Sequence, residues 1–268
     1  MPAEPLLTGN KDWMTLLSVR AAIAPLKPRD ALLLAPGGPR VGSLEPTVAQ
    51  RLIGDGLPLR ADPAGWVLSG APDVALAEIA RWLHGAGLAG RWRDELLAVT
   101  DNADQPLASI ERAAVRPLGI TTHAVHLVVR TPVGEVWVQQ RALDKATDPG
   151  LWDTTMGGLR AAGETVHDTL ERETWEEAGL RLAHFEALVP HGRLTVRRPL
   201  HDSPHGYMVE HIDTFEAVLA DGSVPVNQDG EVASFDCLPI ADLRERLRQD
   251  RFTLEAALVL LRCLPGLR

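Results

Sequence analysis

Gly158 to Leu180 read G-L-R-A-A-G-E-T-V-H-D-T-L-E-R-E-T-W-E-E-A-G-L. Gly157, Gly158 and Gly163 make a glycine-rich turn, a segment of helical spacing follows, and Gly179 ends it. Glu173 and Glu177 stand four apart with Glu176 between them, so three carboxylates project from one side of a helix. Like charges that close destabilise an isolated helix, and a divalent cation is the obvious compensation. Mg2+ prefers carboxylate and water oxygens and usually shares its coordination sphere with a substrate phosphate. A solvated acidic face is the ordinary explanation of a Glu-rich helix. The register of the whole stretch speaks against it.

That register is Gly158, five residues, Glu164, seven residues, then Arg172-Glu173, Glu176-Glu177 and Gly179-Leu180. It resembles the Nudix box, G-x5-E-x7-R-E-U-x-E-E-x-G-U, with U aliphatic, and every fixed position matches. Thr174 departs, standing where Ile, Leu or Val is usual. It is β-branched and close to Val in shape, so a small packing change is expected rather than a lost site.

The likeness continues outside the box. The chain resembles the Nudix subgroup that fungi carry fused to thiamin pyrophosphokinase and that occurs unfused in bacteria and plants. The residues that carry it include Trp92-Arg93-Asp94-Glu95, Glu111-Arg112-Ala113-Ala114, Leu118-Gly119-Ile120 and Val125-His126. Trp137 to Arg141, Lys145, Pro149-Gly150, Asp153 and Asn227 to Val232 complete the set. The resemblance implies a Nudix α/β/α sandwich with a mixed sheet at residues 116–268, preceded by a smaller α+β domain of undefined role at residues 1–115. It also implies hydrolysis of a diphosphate, with thiamin diphosphate or its oxidised analogues as the leading substrate class, and Mg2+ as cofactor with Mn2+ as the alternative.

Cleaving a diphosphate requires that negative charge be neutralised and water be oriented. On the resemblance, Glu173 and Glu177 are the principal Mg2+ ligands, Glu176 is a third ligand or the water-activating base, and the Gly158 carbonyl completes the set. Arg172, four residues before Glu176, is placed to hold a carboxylate. Glu164 either joins the metal site or favours the helix N-terminus, and both readings stand open. Arg141 and Lys145 carry the charge a diphosphate needs, against an exposed loop pair as the plainer explanation. Glu231 is a candidate further carboxylate, or a turn residue, with Glu210 as its alternative. His123, His126, His191 and His211 have no zinc-type spacing and read as structural.

Two other classes compete. Arg141 to Asp153 also resemble isopentenyl-diphosphate isomerase, which uses a catalytic cysteine before the box, but Trp152 to Met156 hold none. A non-catalytic ligand-binding module tends to lose box carboxylates, and this chain keeps them all. Among hydrolases, a nucleoside-diphosphate compound is the alternative substrate.

Composition is that of a soluble globular protein of one or two domains: 268 residues, 45% hydrophobic and 24% charged. A net charge of −9 argues against nucleic acid or an anionic membrane as partner. Two cysteines, Cys237 and Cys263, are too few for a disulfide framework and read as buried thiols. Met1 to Pro5 is not a signal-peptide start, and no apolar run reaches the length of about eighteen that a membrane helix needs. A cytoplasmic protein acting on a small-molecule diphosphate is expected. Capping the site, shaping its pocket or forming a homodimer surface are the roles open to the N-terminal domain.

Helices are expected over residues 11–24, 45–53, 72–84, 240–249 and 253–263, besides the acidic one. Ala31 to Ala35 is a short apolar run before a Pro-Gly turn. Strands are expected over 65–69, 93–100, 124–130, 135–141, 182–188, 212–219 and 230–237, with residues 111–120 as the junction.

Overall fold

The acidic segment does form a helix, Val166–Ala178, and its ends are set by their own residues. The Thr165 hydroxyl accepts the Asp168 N–H at 3.1 Å while the Asp168 carboxylate accepts the Thr165 N–H at 2.9 Å, a capping box. Gly179, at φ 63°, stops it in the left-handed region. Its N–H reaches the Trp175 carbonyl at 2.8 Å, and that of Leu180 reaches Thr174 at 3.2 Å. Thr174 is buried as the aliphatic pattern requires, but its hydroxyl has no hydrogen-bond partner among the described residues.

The computed structural model describes residues 12–267 apart from 146, 201, 202, 204, 220 and 221. The reading of Met1 to Pro5 lies outside them. In chain order the elements are α1 (Asp12–Arg20), β1 (Asp30–Leu33), β2 (Arg40–Leu44), α2 (Pro46–Gly54), β3 (Leu59–Asp62), β4 (Gly65–Leu68), α3 (Pro72–Gly85), β5 (Leu96–Thr100) and β6 (Pro106–Glu111). There follow β7 (Thr121–Arg130), β8 (Val136–Arg141), β9 (Trp152–Asp153), β10 (Met156–Leu159) and the acidic helix as α4. The chain closes with β11 (Phe185–Pro199), β12 (Tyr207–Leu219), β13 (Val232–Leu238), α5 (Ile240–Arg248) and α6 (Leu254–Cys263).

The C-terminal sheet is mixed. Its strand order is β11-β12-β7-β8-β13, with β10 on β7 and β9 on β8; β12 and β7 run parallel and the other pairs antiparallel. Alternation along β7 sends Ala124 and Val128 to one face, against Ile212, Phe252 and Leu260. Val125, Leu127 and Val129 go to the other, against Leu170, Ala178 and Leu180 of the α4 layer. The sheet thus lies between α4 and the α5/α6 side, the expected α/β/α sandwich. Leu17 and Ala21 of α1 join the α6 side of this core. A separate core, around Leu32, Leu44, Leu76, Ile79 and Ile110, fills the N-terminal half under the sheet β2-β1-β4-β3.

Five readings need correction, the first being the glycine turn: Gly157 and Gly158 lie in strand β10, paired with His126 and Val125 of β7. Residues 182–184 form a 3-10 turn, and the strand starts at Phe185 and runs fifteen residues; β12 likewise begins five residues earlier than expected. Strands β2, β3 and β6 were not expected, and β6 occupies the approach to the junction. The first helix ends at Arg20 rather than before Pro25, where Ala22 already bridges to Arg197.

The two halves are tied by a buried guanidinium. Arg29 donates to the carbonyls of Ser43 at 2.5 Å, Pro117 at 2.5 Å and His205 at 2.9 Å. Gly42 lets β2 lie on the Leu118 carbonyl, which accepts the Ser43 N–H at 2.8 Å; a side chain at Gly42 would overlap it.

Thr174→Val keeps the shape and removes the unpartnered buried hydroxyl. It is expected to stabilise the protein by about 1 kcal/mol, seen as a higher denaturant midpoint at unchanged slope. A lower midpoint would mean that the hydroxyl is satisfied in solution.

Candidate active site

Two carboxylates of α4 lie against the glycine pair of strand β10, Gly157 and Gly158. Glu177 is buried, and its Oε2 accepts the Gly157 N–H and the Gln139 Nε2–H, each at 2.9 Å. Glu173 lies across Gly158 so closely that a Cβ there would overlap its carboxylate. At Gly157 a Cβ would meet the His126 ring. The glycines are therefore the hollow into which the acids fit.

Arg172 is the hub of the outer acids. It donates to Glu164 at 2.6 and 2.9 Å, to Glu173 at 2.6 Å, to Glu176 at 3.1 Å and to the Leu159 carbonyl at 3.1 Å. Glu164 also accepts from the Ala161 N–H and the Thr169 hydroxyl; Arg172 first, and then these two, hold its carboxyl below the ordinary range although burial opposes them. Its donors leave it turned toward Arg172.

Seven of the ten candidate site residues singled out from the sequence wall one cavity of about 180 Å3: Gly158, Glu173, Glu177, Glu231, its alternative Glu210, Arg141 and Lys145. Arg172, Glu164 and Glu176 do not wall it. The Glu176 side chain is 41% exposed, sits at the solvent edge and is bonded by Arg172. Lys145 pairs with Glu231 across the mouth. Arg141 reaches Asp153 at 3.3 Å and the Thr147 carbonyl at 3.0 Å.

Electrostatics separate these acids. Burial raises the Glu173 pKa against the opposing pull of Arg172, and neighbouring Glu176 and Glu231 add to the rise. Burial raises Glu177 too, with the Glu173 charge next in size. Burial also works to raise Glu231, but the Lys145 hydrogen bond and the charges of Lys145, Arg112 and Arg93 overcome it and hold it low. The result is a desolvated carboxylate pair short of positive charge, beside the buried and unpartnered Gln139 Oε1. An all-oxygen donor set of this kind fits a hard divalent cation such as Mg2+ or Mn2+.

Several wall residues escaped the sequence reading as site residues. Arg112 and Arg116 come from the stretch read as a junction, and Arg198 from the unforeseen length of β11. Arg116 bonds Glu210 at 2.8 Å, with Thr122 donating to the same carboxylate at 2.7 Å. Glu255 is buried and bonded by Arg198 at 3.2 Å, and burial raises its pKa despite that partner. A lone acid at the head of the apolar run Leu254 to Cys263 was the available signal for it. Neither cysteine walls the cavity; Cys237 sits 3.8 Å from a Glu135 oxygen, its thiol pushed up to about 11 by burial and that charge.

His123 and His211, lone in sequence, lie on paired strands and meet Asp104, each Nδ1 3.9 Å from its Oδ1. Burial, then the Arg160 charge, holds His123 down at about 4. Arg193 already pairs with Asp104 and with Asp213. The surrounding guanidinium groups disfavour a cation there.

Sandwich, glycine-bearing strand and acidic helix together are the Nudix arrangement. Residues 121–258 match the NUDIX domain, and the chain belongs to that family. Nudix hydrolases generally use divalent metals. A Nudix hydrolase of Pseudomonas aeruginosa described as uncharacterised is 40% identical over 105 residues, 39% of this chain and 60% of that protein. Nudix hydrolase 20, chloroplastic, of Arabidopsis thaliana is 29% identical over 182 residues, 66% of this chain and 48% of that protein. An isopentenyl-diphosphate Delta-isomerase of Brevibacterium linens is 32% identical over 97 residues, 36% of this chain and 53% of that protein. The chain thus spans about half to three-fifths of the curated relatives it matches. A Deinococcus radiodurans crystal structure shares the fold, with a TM-score of 0.50 at 20% identity, covering 63% of this chain and 99% of that one.

The raised carboxyls set a pH dependence. Native Glu173 and Glu177 hold protons that the unfolded chain has released, so their contribution is present below the unfolded value and is lost as pH rises through the native values. Above about pH 7.5 His123 is neutral in both states and adds no slope. Metal-free protein is therefore expected to lose thermal stability from about pH 7.5 to about pH 9, and Glu177→Gln to flatten the loss. An equal slope in the variant would mean that the pair is not the source.

Proposed function

We propose that this protein is a Mg2+-dependent pyrophosphohydrolase that cleaves the diphosphate of a small organic molecule. The observation that carries this reading is the desolvated Glu173–Glu177 pair, facing Glu231 and walled by Arg141 and Lys145 in a single cavity. Glu173, Glu177 and Glu231, with the Gly158 carbonyl, would hold the cation, which when bound neutralises phosphate oxygens and polarises phosphorus toward water. Lys145, released from Glu231 as that carboxylate turns inward, is free to meet a phosphate oxygen. Arg141 is braced by Asp153 and presents its guanidinium to the same space. Arg172 acts through others: it fixes Glu173 while Glu164 and Glu176 share its charge.

For the organic half, thiamin diphosphate or its oxidised analogues remain our leading reading, giving the monophosphate and phosphate. Its support is the extent of the likeness. The 182 residues shared with the Arabidopsis protein exceed the 121–258 domain and reach into the N-terminal half. A nucleoside-diphosphate compound is the alternative substrate. The Brevibacterium likeness raises an isomerase reading, but no thiol walls the cavity, so we rank hydrolysis above allylic rearrangement.

Phosphate release, with and without Mg2+, would be measured over thiamin diphosphate, its oxo- and oxy-analogues, ADP-ribose, nucleoside triphosphates and isopentenyl diphosphate. Mg2+-dependent release from the thiamin compounds is expected. Preference for a nucleotide compound would keep the hydrolase and discard the thiamin reading, and rearranged isopentenyl product without phosphate release would replace hydrolysis by isomerisation.

Glu177→Gln is expected to lower turnover roughly 100-fold or more while the metal-free protein melts no lower than wild type. Mg2+ should raise the melting temperature of wild type and not of the variant. Full activity in the variant would place the metal site elsewhere.

A further inference from the structure

Beside the acidic cavity lies a larger one of about 420 Å3, and the two share Arg112, Arg116, Arg198, Thr147, Leu159 and Met208 as walls. The far wall of the larger cavity is N-terminal: Leu88, Arg91, Arg93 and Val115. Together the two have the size of a small-molecule site, about 300–1,000 Å3. The smaller alone suits little more than a diphosphate.

The cations on this wall differ in what already occupies them. Arg116 and Arg198 are matched by Glu210 and Glu255. Arg112 donates to Glu95 at 2.7 Å and keeps its place on both cavities. Arg93 has no side-chain partner among the described residues, yet its backbone is held firmly. The buried Glu111 carboxylate accepts the N–H groups of Arg93 at 3.0 Å, Glu95 at 3.2 Å and Ala113 at 3.2 Å. Next to Arg93, Asp94 is held at φ 56°, a left-handed conformation rare for a non-glycine residue, and accepts the Trp92 indole N–H at 2.7 Å. One buried charge thus pins both segments from which Arg93 and Arg112 project. Pinning a surface segment around an unpartnered guanidinium places that group for a ligand.

We propose that the N-terminal half completes the substrate site, with Arg112 gripping the diphosphate and Arg93 gripping the organic half in the larger cavity. The proposal rests on the hydrolase reading. A guanidinium offers a planar fork of donors and a face for stacking, and Leu88, Val115, Leu200 and Met208 give apolar cover. The ligand class is therefore an organic diphosphate whose organic half carries a planar, acceptor-bearing group. The earlier choice among capping, pocket-shaping and dimerisation resolves to pocket-shaping.

The test uses the full-length protein, the panel compound turned over fastest, and inorganic pyrophosphate with Mg2+ as a probe of the diphosphate subsite alone. Arg93→Ala should raise KM for the organic diphosphate about tenfold or more with kcat changed by no more than about twofold, and shift the pyrophosphate Kd by no more than about twofold, since its charge reaches that subsite only at a distance through Glu231. Arg112→Gln should weaken both. Arg51→Ala, which removes from α2 an equal charge stacked on Trp82 of α3, controls for net charge and should alter neither. Should Arg112→Gln fail to fold through loss of Glu95, Arg93→Ala, exposed and unpartnered, still decides. A KM in Arg93→Ala equal to that of wild type and Arg51→Ala, with normal turnover, overturns this proposal and leaves the hydrolase standing. No turnover and no pyrophosphate binding in wild type would overturn the hydrolase reading itself.

Discussion

Two carboxylates buried side by side are the constraint on which the rest of the site depends. Glu173 and Glu177 lie on one face of α4, and the fold removes both from water. Burying one such charge is costly and burying two adjacent ones more so, unless protons or a cation compensate. The surroundings address only part of that cost. Gly157 and Gln139 give Glu177 two donors, and Arg172 gives Glu173 one, while Arg172 is shared with Glu164 and Glu176. What is left over is a deficit of positive charge at one point.

The same constraint explains which residues the sequence revealed. The box was legible because its geometry is local. Carboxylates three and four apart fall on one helix face, a capping box starts that helix, and a glycine must end it and another must lie beneath Glu173. Glu164 shows the limit of such reading. Its place in the spacing gave no way to choose between metal and helix, whereas the fold commits it to Arg172, Ala161 and Thr169.

What the sequence hid follows equally from physics. β11 is an edge strand on which only Val196 is fully buried, and it shows no sustained alternation; period-two reading had little to find. β2, β3 and β6 are four to six residues long and broken by glycine, proline or charge. Arg112, Arg116 and Glu255 were invisible as site residues for another reason. Their meaning lies in pairing across elements far apart in sequence, as when Arg116 meets Glu210 ninety-four residues away. No local pattern encodes that.

Two cores in one chain leave a seam between them, and seams are where ligand sites form. Here the seam cannot drift open freely, since Arg29 fastens β2, the junction and the Gly206 turn through three carbonyls. Nor can the N-terminal wall rotate by itself, because Glu111 ties the Arg93 segment to the turn carrying Arg112. The acidic cavity supplies charge to hold a cation but few groups to tell one diphosphate from another. Discrimination therefore has to come from the neighbouring cavity, and half of that cavity is built by residues upstream of the Nudix domain. A catalytic core that is general and a seam that is particular would let one family chemistry serve many substrates.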